Sequence, residues 1–382
     1  MGAEEAAAAA EATFGVAAIN AAARRTGFVW DDAYFAHLTA ENLGPWVAPG
    51  PAFETAAGKK RIRDLIEQTG LIDLLVPLKP APLTRDDALR FHVPEYLDRI
   101  EEMSAADGGN AGEHTWFGPG SLDIALLSAG GTYEVVRAVL AGEVDNGYAL
   151  VRPPGHHAER DWGRGYCMLA NAPLAIMKAR DELGLGRVAV VDWDVHHGNG
   201  TEQAFYDDPD TLTISLHQDR LYPTDTGLVE HIGAGDGEGA NINVPLPAGS
   251  GREAYLAAFD QVVQPAIRRF APDLIVVSSG FDAGGFDPLG RMMLSAETFA
   301  EMSRRLLALA DELCDGRVAM THEGGYSELH APFCGLRVLE ALSGASTGVP
   351  DPFDFIDEYG AQELVEHQAL AVRGVATLHG LA

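Results

Sequence analysis

One stretch, Arg187 to Gly200, constrains the fold of this chain more than any other. It begins as an apolar, β-branched run, which is typical of a strand buried inside a parallel sheet. Polar and apolar residues then alternate, so that Asp192, Asp194 and His196 share one face of a strand predicted over Val188–Val195. Two carboxylates and an imidazole are costly to bury unless a metal ion or a hydrogen-bond network satisfies them. The stretch predicts such a site, and the simpler alternative is a strand followed by solvated side chains.

Strands and helices alternate through most of the chain. Further strands are predicted at Gly27–Trp30, Tyr148–Val151, Thr211–Leu216, Leu274–Ser278 and Val318–Thr321. Helices are predicted at Glu54–Thr69, Pro94–Met103, Ser121–Ala141, Asn171–Leu183, Arg252–Phe270, Ala296–Cys314 and Leu329–Leu342. This alternation indicates a mostly parallel sheet with helices on both faces. The 382 residues would fit one large α/β domain or two smaller ones, and the sequence contains no internal repeat and no interdomain linker.

Polar side chains follow four of the predicted strands, at the point where each strand ends. They are the pair His156 and His157, the pair Asp194 and His196, then Asp282, and finally Tyr326. In open α/β sheets the ligand crevice lies outside the carboxyl ends of the strands. The sequence therefore predicts that these groups converge on one site.

Asp194, His196 and Asp282 make a set of one histidine and two carboxylates. Three protein ligands with one position left open are typical of a catalytic rather than a structural metal site. Zinc is the first choice, and the oxygen-rich set also suits Fe(II) or Co(II).

The histidine pair and the tyrosine add acid–base chemistry to this metal site. One imidazole could take a proton from an activated water while the other assists the leaving group, and Asp192 is placed to orient an imidazole from behind. Tyr326 follows two glycines, and its phenol could donate to a developing oxyanion. Metal, base and oxyanion donor together predict hydrolysis of a carbonyl compound, most simply an amide.

The composition restricts partners and compartment. Lys and Arg number 27 against 56 Asp and Glu, which gives a net charge of −29 and argues against nucleic-acid binding. The acidity should attract cations, including cationic substrates. The odd set of three cysteines, Cys167, Cys314 and Cys334, favours a reducing compartment, and we predict a cytoplasmic protein. The sequence has no apolar run of about 18 residues, so no membrane span is predicted.

Three stretches lie apart from the strands and helices predicted for the sheet domain. The Ala-rich N-terminus, residues 1–26, lacks the basic region of a signal peptide and is interpreted as a helical or frayed extension of the domain over residues 27–382. Trp46–Phe53 is rich in Pro and Gly and is predicted to form a loop. Ser104–Gly120 has no regular period and is long for a connection, which indicates a functional or disordered loop.

Seven motifs carry a family resemblance. They are Arg152–Ala158, Gly165–Cys167, Asp192–Thr201, Ser215–His217, Gly280–Ala283, Asp287–Gly290 and Glu323–Tyr326. Together they resemble the zinc-dependent histone deacetylase superfamily, with a class II pattern closest to bacterial histone deacetylase-like amidohydrolases. The similarity runs from about Gly27 to the region of Asp351.

The resemblance implies a fold and a set of roles. The fold would be the arginase–deacetylase α/β fold, a single domain with an eight-stranded parallel sheet. Zinc would be held by Asp194, His196 and Asp282. His157 would act as general base and acid with His156 as its electrostatic partner, Asp192 would stand behind His156, and Tyr326 would polarise the scissile carbonyl. One structural potassium ion would take Asp192, Asp194, His196, Ser215 and Leu216, and a second would take carbonyls near Phe205, Asp208 and Thr211.

The sequence departs from the family pattern around the substrate. Asn199 stands where many class I members carry Asp, so His157 would contact an amide, which should alter its pKa rather than abolish activity. The predicted substrate-binding residues are Gly165, Tyr166, Tyr222 and Leu289. The two tyrosines occupy positions where many relatives wall the acyl-lysine channel with phenylalanine. Leu289 stands where a polyamine-selective relative carries Glu, which argues against polyamines.

The main hypothesis is a zinc amidohydrolase that removes acetyl or related groups from lysine-like amines, on a small-molecule or peptide substrate. A rival is an acetylpolyamine or other small-amide hydrolase, which the acidic composition supports. An arginase-like ureohydrolase would need two manganese ions and further ligands, which Asn199 and the run Ser278–Gly280 do not supply. A binding module that has lost activity is disfavoured by the intact set of polar residues. Relatives suggest a homodimer or homotetramer.

Overall fold

The computed structural model of the chain describes residues 22–39 and 52–381. Most of the predicted extension and most of the loop predicted at Trp46–Phe53 lie outside these residues. Eight parallel strands form one central sheet: β1 Thr26–Val29, β2 Val76–Leu78, β3 Asn146–Ala149, β4 Val188–Asp192, β5 Thr211–Gln218, β6 Asn241–Leu246, β7 Leu274–Ser279 and β8 Val318–His322. Their order across the sheet is β6-β5-β4-β7-β8-β3-β1-β2. Every neighbouring pair is parallel, so the predicted eight-stranded sheet in a single domain is confirmed.

The two strands at the edges of the sheet, β2 and β6, were not predicted. Each contains a proline, Pro77 in β2 and Pro245 in β6. A proline cannot donate a ladder hydrogen bond, so it argues against a central strand and is tolerated at an edge. In β6 the polar Asn241 and Asn243 also interrupt the apolar pattern, and both side chains donate to Glu202.

Eleven α-helices are present in the described residues. They are α1 Ala56–Gln68, α2 Arg85–Ala88, α3 Pro94–Ala105, α4 Ser121–Leu140, α5 Asn171–Leu183, α6 Asn199–Phe205, α7 Arg252–Ala258, α8 Gln264–Phe270, α9 Ala296–Leu313, α10 Ala331–Ser343 and α11 Glu366–Leu378. The predicted helix over Arg252–Phe270 is α7 and α8 joined by a π-helical turn at Phe259–Val263. Helices α2, α6 and α11 were not predicted.

Short elements complete the described part of the chain. Two-residue strands lie at Gly109–Asn110, Gly112–Glu113, Trp116–Phe117 and Gly163–Arg164. Short 3₁₀ helices lie at Asp32–Ala36, Leu71–Leu74, Gly235–Gly237, Asp354–Glu358 and Gly360–Gln362. The segment Ser104–Gly120, predicted as an irregular loop, thus carries three of the short strands, and one of them pairs with Gly163–Arg164.

Side chains from the two faces of the sheet enter separate hydrophobic cores. In β4, Val188 and Val190 pack in the core that includes residues of α4 and α5. Ala189 and Val191 pack in the core that includes residues of α9 and α10. This alternation buries both faces of the strand, as expected for a central parallel strand.

Strand β4 ends at Asp192, three residues before its predicted end. Beyond it, the Asp194 N–H donates to the Asp192 carboxylate at 3.0 Å, and the His196 N–H donates to the Asp194 carboxylate at 2.9 Å. Such local bonds offer the backbone an alternative to the strand ladder. The predicted strand end is therefore replaced by two successive turns at the carboxyl edge of the sheet, in each of which an aspartate carboxylate accepts from the backbone N–H two residues further on.

A buried ion pair anchors the loop that follows β3. The Arg152 guanidinium donates to the Glu54 carboxylate at 2.8 Å, and the two side chains are 2% and 0% exposed. Arg152 also donates to the carbonyls of Tyr34 and His37. The pair thus joins the start of the loop that carries His156 and His157, here called the histidine loop, to the segment before α1.

We expect Glu54→Gln to lower the free energy of unfolding by about 3–5 kcal/mol, because removing one partner leaves the Arg152 charge buried and unpaired. Urea unfolding followed by circular dichroism measures the change. The matched control is Lys60→Gln, which breaks an exposed pair with Asp64 and should cost less than about 1 kcal/mol. An equal effect of the two variants would contradict the prediction.

Candidate active site

The polar groups predicted to converge do so at the carboxyl edge of the sheet. The loop after β3 carries His156 and His157, and the turns after β4 carry Asp194 and His196. Their side chains contact one another and the segments after β7 and β8. The site is therefore assembled from loops that follow four neighbouring strands.

Asp194, His196 and Asp282 form a compact buried triangle. The His196 Nδ1 lies 3.0 Å from the Asp194 carboxylate and 3.1 Å from the Asp282 carboxylate. Their ligand atoms all lie within 4.8 Å of one another. Backbone amides fix the carboxylates, because Val195 N–H donates to Asp282 and Gly324 N–H donates to Asp194, both at 2.8 Å.

This triangle fits a divalent metal ion. Burial and the nearby Asp194 carboxylate raise the pKa of Asp282 to about 7, which reflects two carboxylates crowded out of water. A cation relieves that repulsion, and two carboxylate oxygens with one imidazole nitrogen are ligands of Zn²⁺ and related ions. The three residues thus constitute a candidate metal site, and the donor set alone does not select the ion.

Two glycines leave the carboxylates their space. A Cβ at Gly280 would overlap the Asp194 carboxylate, and a Cβ at Gly324 would overlap that of Asp282. Gly324, the first glycine of the Glu323–Tyr326 motif, therefore allows the backbone to approach the acidic pair closely.

The two histidine rings lie side by side with their centroids 3.9 Å apart. The His156 Nδ1 is 2.9 Å from Asp192, and the His157 Nδ1 is 2.8 Å from the Asn199 side-chain oxygen. Although burial opposes it, the charges of Asp194 and Asp192 raise the pKa of His156 well above its usual range. Burial, together with His156 and His196, lowers the pKa of His157 well below its usual range. The pair is thus divided into a cationic and a neutral imidazole.

Three tyrosines surround these groups. The Tyr326 ring centroid lies 6.4 Å from that of His196 and 5.7 Å from that of Tyr166. The Tyr222 ring lies 5.2 Å from His157 and 6.0 Å from His196. The structure brings these predicted residues together as aromatic walls of the site, with Tyr222 and Tyr326 beside the histidines and Tyr166 against Tyr326.

The other two predicted substrate residues lie differently. Gly165 has a φ of +50°, and a Cβ there would overlap the His157 ring. Gly165 thus packs directly against the histidine. The Leu289 N–H donates to the Asp287 carboxylate at 2.8 Å.

Sequence reasoning missed the positioning groups Asp287 and Glu323. One oxygen of Asp287 accepts from Leu289, while the other accepts from the N–H groups of Tyr326 at 2.6 Å and Ser327 at 3.1 Å. Asp287 therefore fixes the segment that carries Tyr326. The motif Asp287–Gly290 contained the signal, but only the fold shows what the carboxylate contacts.

Glu323 supports the histidine loop in a similar way. Its carboxylate accepts from the N–H groups of Gly155 at 2.7 Å and His156 at 3.1 Å. Burial raises the pKa of Glu323 to about 7. Lys59, which is also buried, donates to the Glu323 carbonyl at 3.2 Å.

The residues predicted to hold potassium lie at the end of β4 and in the turns after it, on β5, and from the end of α6 to the start of β5. Asp192 and Ser215 are register partners on the neighbouring strands, and both line a cavity of about 10 Å³. Phe205 ends α6, and the Asp208 carboxylate accepts from the Thr211 hydroxyl at 2.7 Å. The potassium sites stay a prediction.

Comparison with known proteins defines the class. The family model described as "Histone deacetylase domain" matches residues 53–342. The chain belongs to the histone deacetylase family.

Individual relatives refine this assignment. The chain is 45% identical over 343 residues to the "Histone deacetylase-like amidohydrolase" of Pseudomonas aeruginosa, which covers 87% of this chain and 90% of the relative. It is 39% identical to the "Probable deacetylase" of Archaeoglobus fulgidus, over 77% of this chain and 82% of that one. The fold is similar to the crystal structure of the HDA15 HD domain, with a TM-score of 0.83 and 30% identity over 93% of this chain and 96% of that chain.

These similarities support the coarse activity. The chain is a hydrolase of the deacetylase and amidohydrolase type, which acts on amide bonds. Across the described residues, we find no helix with the length and apolarity that a membrane crossing requires.

Proposed function

We propose that this protein is a zinc-dependent deacetylase that hydrolyses acetyl-lysine or closely related N-acyl amines. The observation that carries the proposal is the triangle of Asp194, His196 and Asp282 facing two candidate catalytic groups. The ring centroid of His196 lies 5.9 Å from that of His157 and 6.4 Å from that of Tyr326. An acid–base group and a hydroxyl donor thus lie close enough to the metal site to act on the same bound substrate.

A divalent metal ion held by Asp194, His196 and Asp282 would supply Lewis-acid polarisation of the carbonyl and activation of water. His157 is the general base, because its lowered pKa keeps it neutral and able to accept a proton. Its Nδ1–H donates to Asn199, so the other ring nitrogen, Nε2, is left to take and later return that proton.

His156 and Tyr326 stabilise charge. His156 retains its proton against Asp192 and lies beside the reacting centre as a fixed positive group. Burial and the carboxylates of Asp282 and Asp194 raise the pKa of Tyr326 well above its usual range, so its hydroxyl stays protonated. That hydroxyl can donate to an oxygen that gains charge in the transition state.

The aromatic walls favour an extended apolar stem in the substrate. The Tyr222 ring lies beside His157 and His196, and the Tyr166 ring packs against Tyr326. Methylene groups of a lysine-like side chain pack well between such faces, whereas a polyamine would carry further charged nitrogens past them. Leu289 offers no carboxylate to such nitrogens, which favours acyl-lysine over acetylpolyamine.

A turnover panel on enzyme reconstituted with one defined metal tests the proposal. Its substrates are an acetyl-lysine peptide, a trifluoroacetyl-lysine peptide, acetylputrescine and a simple anilide. We expect both lysine peptides to be hydrolysed with a higher kcat/KM than acetylputrescine. A preference for acetylputrescine would transfer the assignment to the polyamine class, and hydrolysis of none of the four would refute the proposed function.

A further inference from the structure

The amide of Asn199 is held on both sides. Its side-chain oxygen accepts from the His157 Nδ1–H at 2.8 Å, and its amide nitrogen donates to the Glu159 carboxylate at 2.6 Å and to the His157 carbonyl at 3.3 Å. Rotating the amide by 180° would point its oxygen at the carboxylate and its NH₂ at the imidazole N–H. The contact with Glu159 therefore selects the orientation that accepts from His157.

Glu159 is itself fixed in place. Its carboxylate accepts from the Arg164 guanidinium at 3.2 Å, and its backbone N–H donates to the Trp162 carbonyl at 2.9 Å. The side chains of Glu159 and Arg164 are 21% and 14% exposed. The carboxylate is thus held at one position beside the amide and partly shielded from water.

We propose that Glu159 is a positioning residue for His157. Its carboxylate orients the Asn199 amide, and the oriented amide holds the imidazole as the tautomer with hydrogen on Nδ1. A carboxylate thus acts on the histidine through an intervening amide, where an Asp at position 199 would act on it directly. This inference rests on the proposed role of His157 as general base.

A purely structural role for Glu159 is the competing interpretation. Arg164 also binds Glu113 at 2.7 Å and Asp225 at 2.9 Å, so Glu159 could serve only to hold the segment that leads to Tyr166. The matched control is Glu113→Gln, which removes a different carboxylate from Arg164 and leaves the Asn199 amide untouched. A positioning role predicts a loss of kcat in Glu159→Gln alone, whereas a structural role predicts similar losses in both variants.

The kinetic test is a double-mutant cycle of Glu159→Gln and Asn199→Asp on an activated acyl-lysine peptide. We expect Glu159→Gln alone to lower kcat about tenfold with KM nearly unchanged, a part of the about 10²–10⁴-fold that a positioned acid–base group contributes. In the Asn199→Asp background the same substitution should raise kcat, because it removes a second carboxylate facing the first. Glu113→Gln should stay within about twofold of the parent.

Equal losses from Glu159→Gln in both backgrounds, or an equal loss from Glu113→Gln, would overturn the inference. A second readout does not depend on turnover: ¹⁵N spectra of histidine-labelled protein report the tautomer of each ring, and His157→Ala identifies the signals of His157. We expect the Nδ1–H form in the parent and a mixture in Glu159→Gln. An unchanged tautomer in that variant would refute the positioning role. A His157→Ala variant that hydrolyses the peptide as fast as the parent would instead refute the proposed role of His157 as general base.

Discussion

Asp194→Ala and Asp282→Ala are each expected to lose the bound transition metal and all measurable hydrolysis. The parent should hold one such ion per chain, because the ligand atoms of Asp194, His196 and Asp282 all lie within 4.8 Å of one another. Each substitution leaves two ligands, too few for a stable three-ligand site. Metal content measured by mass spectrometry after dialysis, together with turnover of an acyl-lysine peptide, checks the prediction.

Two companion variants separate metal loss from unfolding. Asp282→Asn keeps an oxygen that can accept from the Val195 N–H, and it removes one charge from a crowded acidic pair. It should therefore stay folded, as shown by circular dichroism, while losing the ion. Asp311→Ala removes a partly exposed carboxylate that binds Arg24 and should keep the full metal content. Full metal content in both alanine variants of the triangle would sink the assignment.

Tyr326→Phe should lower kcat by about 10²–10³-fold, the usual loss of one oxyanion donor. The hydroxyl interacts with an oxygen that becomes charged only in the transition state, so kcat and kcat/KM should fall together while KM stays nearly unchanged. The fold around it should survive, because Asp287 holds the Tyr326 N–H and the ring itself is retained. Steady-state kinetics on one activated substrate provide the measurement.

The matched control for this variant is Tyr359→Phe, which removes a hydroxyl from a tyrosine that is 45% exposed and lies outside the site. It should not change kcat. A Tyr326→Phe enzyme within about threefold of the parent, well short of the usual donor loss, would remove Tyr326 from the mechanism.

The pH profile adds a contrast between Tyr326 and His157. Because its pKa is lowered, His157 is neutral and can accept a proton above that pKa, and it loses this ability as the pH falls through it. The acidic limb of the parent's pH–rate profile should therefore lie below about pH 6.5, the usual pKa of histidine. Tyr326→Phe should keep this limb at a reduced rate, and His157→Ala should flatten it.

The site was more predictable than the elements that carry it. The candidate ligands and the histidine pair lie within short motifs at strand ends, and parallel strands bring such ends to one edge. The edge strands β2 and β6 were missed because Pro77 and Pro245 break the apolar pattern that marks a strand. Strand β4 ended early because the carboxylates that define the site also capture backbone N–H groups.

Contacts between residues far apart in the sequence were not predicted. Glu159 meets Asn199 across 40 residues, and Asp287 meets Tyr326 across 39. No local pattern specifies which carboxylate will face which donor, since that depends on how two loops pack after the sheet forms. The sequence thus indicates the reacting groups and leaves open the residues that orient them.

The prolines in the edge strands also bear on self-association. An exposed strand edge presents unpaired N–H and C=O groups that can recruit a strand from another molecule, which is the first step of fibrous aggregation. Pro77 and Pro245 each remove one donor from the outermost strands, so a ninth strand would meet a gap in its ladder at either end. The addition of further strands is therefore disfavoured at both edges of the sheet.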